Sequence, residues 1–337
     1  VGLKQKEDGY HLILGGGGFI GRHVALTLTR LGHRVVLANR TPPDCTFPAD
    51  ASPLVRWTQL DLATADWAQV IAGASVVHHY AWTTVPASAN SDPKGDLSVN
   101  VASTLALLEA MRRQPHPPRL IFASSGGTVY GKLRHVPVRE DHPLAPITAY
   151  GASKAAVELY LGYYRAIYGL DCRVARLANP FGVGQNFARG QGAATTFLHH
   201  ALTGQAITIW GDGETVRDYI HISDAAAGLA RLALSSRTSD QPWIFNIASG
   251  VGVRLNDIVT ALEIQLDRKL EVRREAGRMF DVPVSVLDVK LAETELGWSP
   301  RRSFAEGIAC TLDDLKTGMA FSTLHPDKER HDGAASR

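Results

Sequence analysis

The stretch HLILGGGGFIG, residues 11–21, decides the fold class. His11-Leu12-Ile13-Leu14 reads as a buried strand, and Phe19 to Leu31 as the amphipathic helix after it. Between them Gly15, Gly18 and Gly21 recur at three-residue intervals. Glycines there allow a tight turn and a close backbone approach, so the free N–H groups of the helix N-terminus face an anion such as a dinucleotide pyrophosphate. Gly15, Gly18, Phe19, Ile20 and Gly21 are therefore candidate cofactor-binding residues. A lone glycine turn is a weak signal, but its place between a strand and a helix makes it a cradle.

Working outward, the same alternation repeats. Residues 34–38, 75–78, 119–123, 172–177 and 243–247 read as further strands, apolar on both faces and separated by helical stretches. That pattern predicts an α/β fold of the Rossmann type, a doubly wound parallel sheet covered on both sides. Beyond about residue 178 the chain loosens into Gly- and Pro-rich loops with shorter elements, which predicts a smaller C-terminal α/β lobe that binds substrate. The expected division is 8–178 with 219–248 for the dinucleotide half, 179–218 with 249–323 for the lobe, and a polar tail over 324–337.

Composition narrows the class. The 337 residues carry 35 basic and 33 acidic side chains, a net charge of +2, so no bulk field draws nucleic acid or a membrane surface. No apolar run approaches the roughly 18 residues that span a bilayer, and the first ten residues lack the order of a signal peptide. Cys45, Cys172 and Cys310 form no CxxC and suit a reducing compartment, so a cytoplasmic enzyme is expected. His78-His79 and His199-His200 have no accompanying carboxylate or cysteine cluster, and no metal site is expected.

The second strand ends in Ala38-Asn39-Arg40. An acidic residue there would bond the adenosine ribose and repel a 2′-phosphate; Asn39 cannot repel it and Arg40 could pair with it. The cofactor is thus NAD or NADP, with the tilt towards NADP. Asp61-Leu62, after the third strand, is placed to meet the adenine ring or to serve as an ordinary turn.

Tyr150-Gly151-Ala152-Ser153-Lys154 sets a phenol and an ammonium four residues apart on one helix face. The cation is expected to lower the phenol pKa towards a value useful for proton transfer. Upstream, Ser124-Ser125 ends a strand, where a hydroxyl could bond the substrate oxygen on which Tyr150 acts.

Taken together, these residues resemble an extended short-chain dehydrogenase/reductase of the NAD-dependent epimerase/dehydratase family, close to its UDP-glucose 4-epimerase branch. The likeness rests on Gly15 to Gly21, Asp61, His78, Asn100, SSGGTVYG over 124–131, Tyr150 to Lys154 and Asn179-Pro180. It continues through Trp210 to Gly213, Arg217 to His221, Arg278 with Asp281, and Leu296 to Trp298, covering roughly residues 10–310. The resemblance implies Tyr150 as acid/base at the sugar O4, Lys154 as its ribose-binding partner, and Asn100 as the prop of that lysine. Arg217 and Arg278 would clamp the diphosphate, with Asp281 beside them, while Asn179 reaches a phosphate and Trp210 lies against the base. Relative to Tyr130, many members carry the catalytic hydroxyl at the position of Gly126; here Ser125 takes that role, with Ser124 as the other choice. Tyr80-Ala81-Trp82 replaces small residues expected beside the nicotinamide. Ser285 stands where relatives limited to plain hexoses often carry Tyr, which implies room for a 2-acetamido group.

Members that eliminate water carry an Asp-Glu pair where this chain has Gly127 and Thr128, which argues against dehydration. A nucleotide-sugar 4-epimerase working on a UDP-hexose or UDP-N-acetylhexosamine is the expected activity. An NADPH-dependent 4-ketosugar reductase and a non-catalytic dinucleotide-binding sensor are the alternatives. The helices near 99–113 and 150–168 carry wide apolar stripes, Val101, Leu105, Leu108 and Met111 on one, Ala155, Leu159, Leu161, Tyr164 and Ile167 on the other. The resemblance implies a homodimer through them.

Overall fold

A computed structural model describes residues 9–43, 47–186, 192–236, 238, 240–276 and 282–317. Seven strands form the main sheet: β1 (Tyr10–Leu14), β2 (Val35–Asn39), β3 (Val55–Gln59), β4 (Ala74–His79), β5 (Arg119–Ser125), β6 (Cys172–Leu177) and, later in the chain, β10 (Ile244–Ile247). Their order is β10-β6-β5-β4-β1-β2-β3, with every neighbouring pair parallel. The order reverses at β1, where the glycine turn leaves the sheet, and open α/β sheets bind ligands in the crevice at such a point.

Strand alternation explains the two layers of core. Ile13 packs on one face with Val24, Leu28 and Leu229, from the helices Phe19–Arg30 and Ile222–Leu234. Leu12 and Leu14 point the other way, onto Leu107, Met111 and Leu161 of the helices Ala102–Arg112 and Ala149–Tyr168. Each such side chain contributes about 1.5–3 kcal/mol when fully buried. His78 and His79 obey the same rule: His78 bonds His11 and Tyr80, and His79 bonds Thr104. Among the described residues no three His, Cys, Asp or Glu side chains gather as metal ligands, and no helix is long and apolar enough to cross a membrane.

The smaller lobe has its own core, built on Phe197, Ile209, Tyr219, Ile258 and Leu312. In it β9 (Val216–His221) pairs with β7 (Asn179–Phe181), β11 (Gly252–Arg254) and β13 (Val284–Ser285). A separate ribbon pairs β8 (Ile207–Trp210) with β12 (Val272–Glu275). Residues 219–221, expected in the dinucleotide half, lie in β9, which pairs with β7, β11 and β13, while β10 pairs with β6 of the main sheet. The tail over 324–337 lies outside the described residues.

Candidate active site

The glycine turn is built for close approach. Gly15 has φ +79°, and a Cβ on it would stand 2.9 Å from the Ala81 backbone nitrogen. A Cβ on Gly21 would collide with the Gly15 carbonyl. Gly18 is the N-cap of the following helix and no side chain caps its first turn, so the amides of Phe19, Ile20 and Gly21 keep their donors for a ligand. Two side chains fix the turn from behind. Asn39 Oδ1 accepts the Gly17 N–H at 2.7 Å, and buried Arg22 donates to the carbonyls of Gly17 and Gly18. Sequence reading weighed Asn39 only for its lack of charge towards a 2′-phosphate and missed Arg22, although its spacing from Gly18 puts it one helical turn on.

The rest of the expected cofactor contacts divide. Arg40 is exposed at the end of β2. Asp61 is exposed and accepts the Ala63 N–H at 3.0 Å, a turn contact, while Leu62 is buried. Tyr80 and Ala81 lie against Gly15, and the Tyr80 hydroxyl is 2.8 Å from His78 Nδ1.

Beyond the turn, β5 ends at two serines that face differently. Ser124 is buried and donates to Glu158, which also holds Arg176 through a 2.7 Å ion pair. Ser125, half-buried, makes no capping bond at the short helix it precedes. A Cβ at Gly126 would meet the end of the Leu287 side chain, which would have to shift to admit a hydroxyl one residue later. The helix Ala149–Tyr168 starts at its Thr148 cap and brings Tyr150 and Lys154 to this edge. Lys154 Nζ donates to the Ala123 carbonyl at 2.8 Å and lies 5.7 Å from the Tyr150 ring centre.

One expectation is corrected here. Burial, aided by the Asp96 carboxylate, raises Tyr150 above the usual phenol range instead of lowering it. Burial in turn pulls Lys154 down to about 7, although Asp96 and Glu158 oppose it. The Asn100 side chain, in a π-helical turn over Leu97–Val101, accepts from the Thr83 N–H and hydroxyl and donates to Asp96. Asp96, the place of Trp82 over Lys154, and Glu158 with Arg176 could not be read from spacing, since each is defined by partners from other elements.

On the lobe side, Asn179 Nδ2 donates to the Asp218 carbonyl at 2.8 Å, and its Oδ1 faces Gly127. Arg217 donates to the carbonyls of Val216 and Val282. Its neighbour Asp218 is spent on Ser249, Gly250 and Leu287. Trp210 is 40% exposed, with its indole N–H on Glu275 at 3.1 Å. Ser285 is buried and pairs with Arg217 across β13 and β9. Arg278 and Asp281 lie outside the described residues.

Residues 11–248 match the model of the NAD dependent epimerase/dehydratase family. A UDP-glucose 4-epimerase of Mycolicibacterium smegmatis is 32% identical over 308 residues, 90% of this chain and 97% of that one. The crystal structure of a UDP-glucose 4-epimerase from Thermotoga maritima with UDP-glucose superposes with a TM-score of 0.83 at 28% identity, covering 92% of this chain and 99% of that one. That of the Thermus thermophilus UDP-glucose 4-epimerase in complex with NAD gives 0.80 at 30% identity, covering 91% and 99%.

Proposed function

The chain belongs to the NAD-dependent epimerase/dehydratase family, and from that premise we propose that it is a nucleotide-sugar 4-epimerase using NAD. One observation carries the reading: the Lys154–Ala123 bond ties the helix face bearing Tyr150 to the strand end bearing Ser125. A phenol, a cation and an uncommitted hydroxyl thereby share one edge, next to a glycine turn whose uncapped amides and Cβ-free floor fit a pyrophosphate. Gly15 to Gly21, Tyr80, Ala81 and Lys154 would hold the dinucleotide, which supplies reversible hydride acceptance when bound.

The chain's own groups do the rest. Ser125 bonds the sugar O4 and orients it. Tyr150 acts as the phenolate, takes the O4 proton and later returns it, so the burial and the Asp96 carboxylate that raise its pKa must be overcome before the first transfer. Arg217 and Asn179 meet the diphosphate, with Arg278 and Asp281 as their counterparts, and Trp210 offers a flat face to the base. At Gly127 and Thr128 there is no acid–base pair for eliminating water. The buried, small Ser285 supports acceptance of 2-acetamido sugars; Ser285→Tyr is expected to lower turnover of UDP-N-acetylglucosamine at least tenfold relative to UDP-glucose. A cytoplasmic homodimer completes the proposal.

The test is incubation of purified protein with UDP-glucose and with UDP-N-acetylglucosamine, without added reductant. Equilibration at C4, abolished by Tyr150→Phe, is expected. NADPH oxidation with a 4-keto nucleotide sugar, and no equilibration of any nucleotide hexose, would establish the reductase instead.

A further inference from the structure

Trp82 occupies a place that the proposed chemistry does not use. Its ring centre lies 3.7 Å from Lys154 Nζ, with Phe122 4.7 Å away on the same ammonium. The Tyr150 ring meets the indole edge-on at 6.1 Å. A clamp holds it there: Thr83 donates its N–H and hydroxyl to Asn100 Oδ1 at 3.0 and 3.2 Å, and Thr84 donates its hydroxyl to Asp96. Asn100 Nδ2 closes the clamp on Asp96 Oδ1 at 2.9 Å. Lys154 is only 3% exposed, and of its three N–H donors one goes to the Ala123 carbonyl while the indole and Phe122 rings cover the ammonium.

We propose that Trp82 is a positioning residue: its clamped indole is the wall that holds the Lys154 amine at the strand edge and keeps water from it. The proposal rests on the reading of Tyr150 and Lys154 as the reacting pair, but its mechanism concerns the protein alone. The groups that act on Lys154 are Asp96 from the helix before the π turn, Glu158 and Tyr150 from its own helix, and His79 from β4. The two carboxylates favour the ammonium, and burial under the rings opposes it and prevails, bringing the titration down to about 7. A cation–π contact favours the cation as well, so removing the ring has two opposing effects. Water admitted to a buried ammonium is the larger, since desolvation alone moves lysines by several units. Opening the wall therefore raises the titration of Lys154.

Lysine side-chain NMR titration of protein without dinucleotide tests this directly, the Lys154 signal being assigned by its loss in Lys154→Met. Wild type is expected to show it titrating near neutrality. In Trp82→Leu it should move up by about one pH unit or more, and in Trp82→Phe, which keeps a ring, by less than half of that. If Trp82→Leu does not fold, Thr84→Val, which loosens the clamp by removing a donor from Asp96, is expected to shift the signal in the same direction. An ordinary lysine titration in wild type, or an unchanged signal in the folded Trp82 and Thr84 variants, overturns the proposal. Where turnover is measurable, Trp82→Leu should lower kcat with little change in KM, and Trp82→Phe should restore it. A shifted lysine in a protein that equilibrates no nucleotide sugar leaves the positioning role standing and defeats the epimerase reading alone.

Discussion

Ser124 and Ser125 are adjacent and chemically identical, yet the fold gives them different work. Ser124 spends its hydroxyl on buried Glu158, whereas Ser125 keeps its own at the site edge. Ser125→Ala is expected to lower kcat roughly 100-fold, the scale of a lost hydrogen bond to the reacting oxygen, and to leave the unfolding midpoint unchanged. Ser124→Ala should instead cost about 1–2 kcal/mol of stability, since it strips a buried carboxylate of a donor, with a smaller loss of kcat. Urea unfolding and initial rates on both variants decide it, and the opposite pattern would exchange the two roles. Cofactor choice is also a residue-scale matter. Asn39 brings no negative charge to the end of β2, and exposed Arg40 is available to a 2′-phosphate. Arg40→Asp is therefore expected to lower NADP affinity at least tenfold relative to NAD in binding titrations. An unchanged ratio would make Arg40 a solvated loop charge. What the sequence disclosed at this scale was the part set by spacing: the glycine intervals, and a phenol four residues before an amine. The titration of that pair was illegible, because Asp96 and Trp82 reach it from another part of the chain.

At the scale of elements, the helix Ala149–Tyr168 carries both Tyr150 and Lys154, so its seating is the seating of the chemistry. Its boundaries could be read from periodicity. The way it is fastened could not. Glu158, one turn after Lys154, accepts from Ser124 of β5 and forms an ion pair with Arg176 of β6, both partners being at most 3% exposed at the side chain. Arg176 continues to the Tyr130 hydroxyl at 2.9 Å, which donates to Asn246 of β10. In the sequence β6 reads as a plain apolar strand with two arginines, and nothing local says that both are buried. A buried pair is costly to break from one side, because the surviving charge is left uncompensated. Glu158→Ala is expected to destabilise by about 3–5 kcal/mol, and Glu158→Gln by clearly less, in denaturant titrations. Equal stability of Glu158→Ala and wild type would mean that the helix is held by its apolar face alone.

Over the whole molecule, the cores leave apolar side chains of the helix Ala149–Tyr168 without a place inside the subunit. The stripes expected to meet a second copy are mostly consumed internally: Val101, Leu108, Met111, Ala155, Leu161 and Tyr164 are buried in the chain's own core. Sequence periodicity marks a helix as apolar on two sides but does not say which side the sheet takes. The structure leaves Leu159 71% and Ile167 62% exposed, with Tyr163 between them at four-residue spacing, and Tyr160 and Tyr168 alongside. Arg112 of the neighbouring helix lies over the Tyr168 ring, so both helices contribute to one face. Fully burying a leucine or isoleucine contributes about 1.5–3 kcal/mol, and a twofold contact would bury each of them twice. Sedimentation equilibrium is expected to give a dimer for wild type. The double substitution Leu159→Glu with Ile167→Glu should give a monomer with an undiminished unfolding midpoint at matched monomer concentration, since neither side chain supports the subunit's own core. A wild-type monomer at every concentration tested, or a dimer that survives both charges, would remove this face from the assembly.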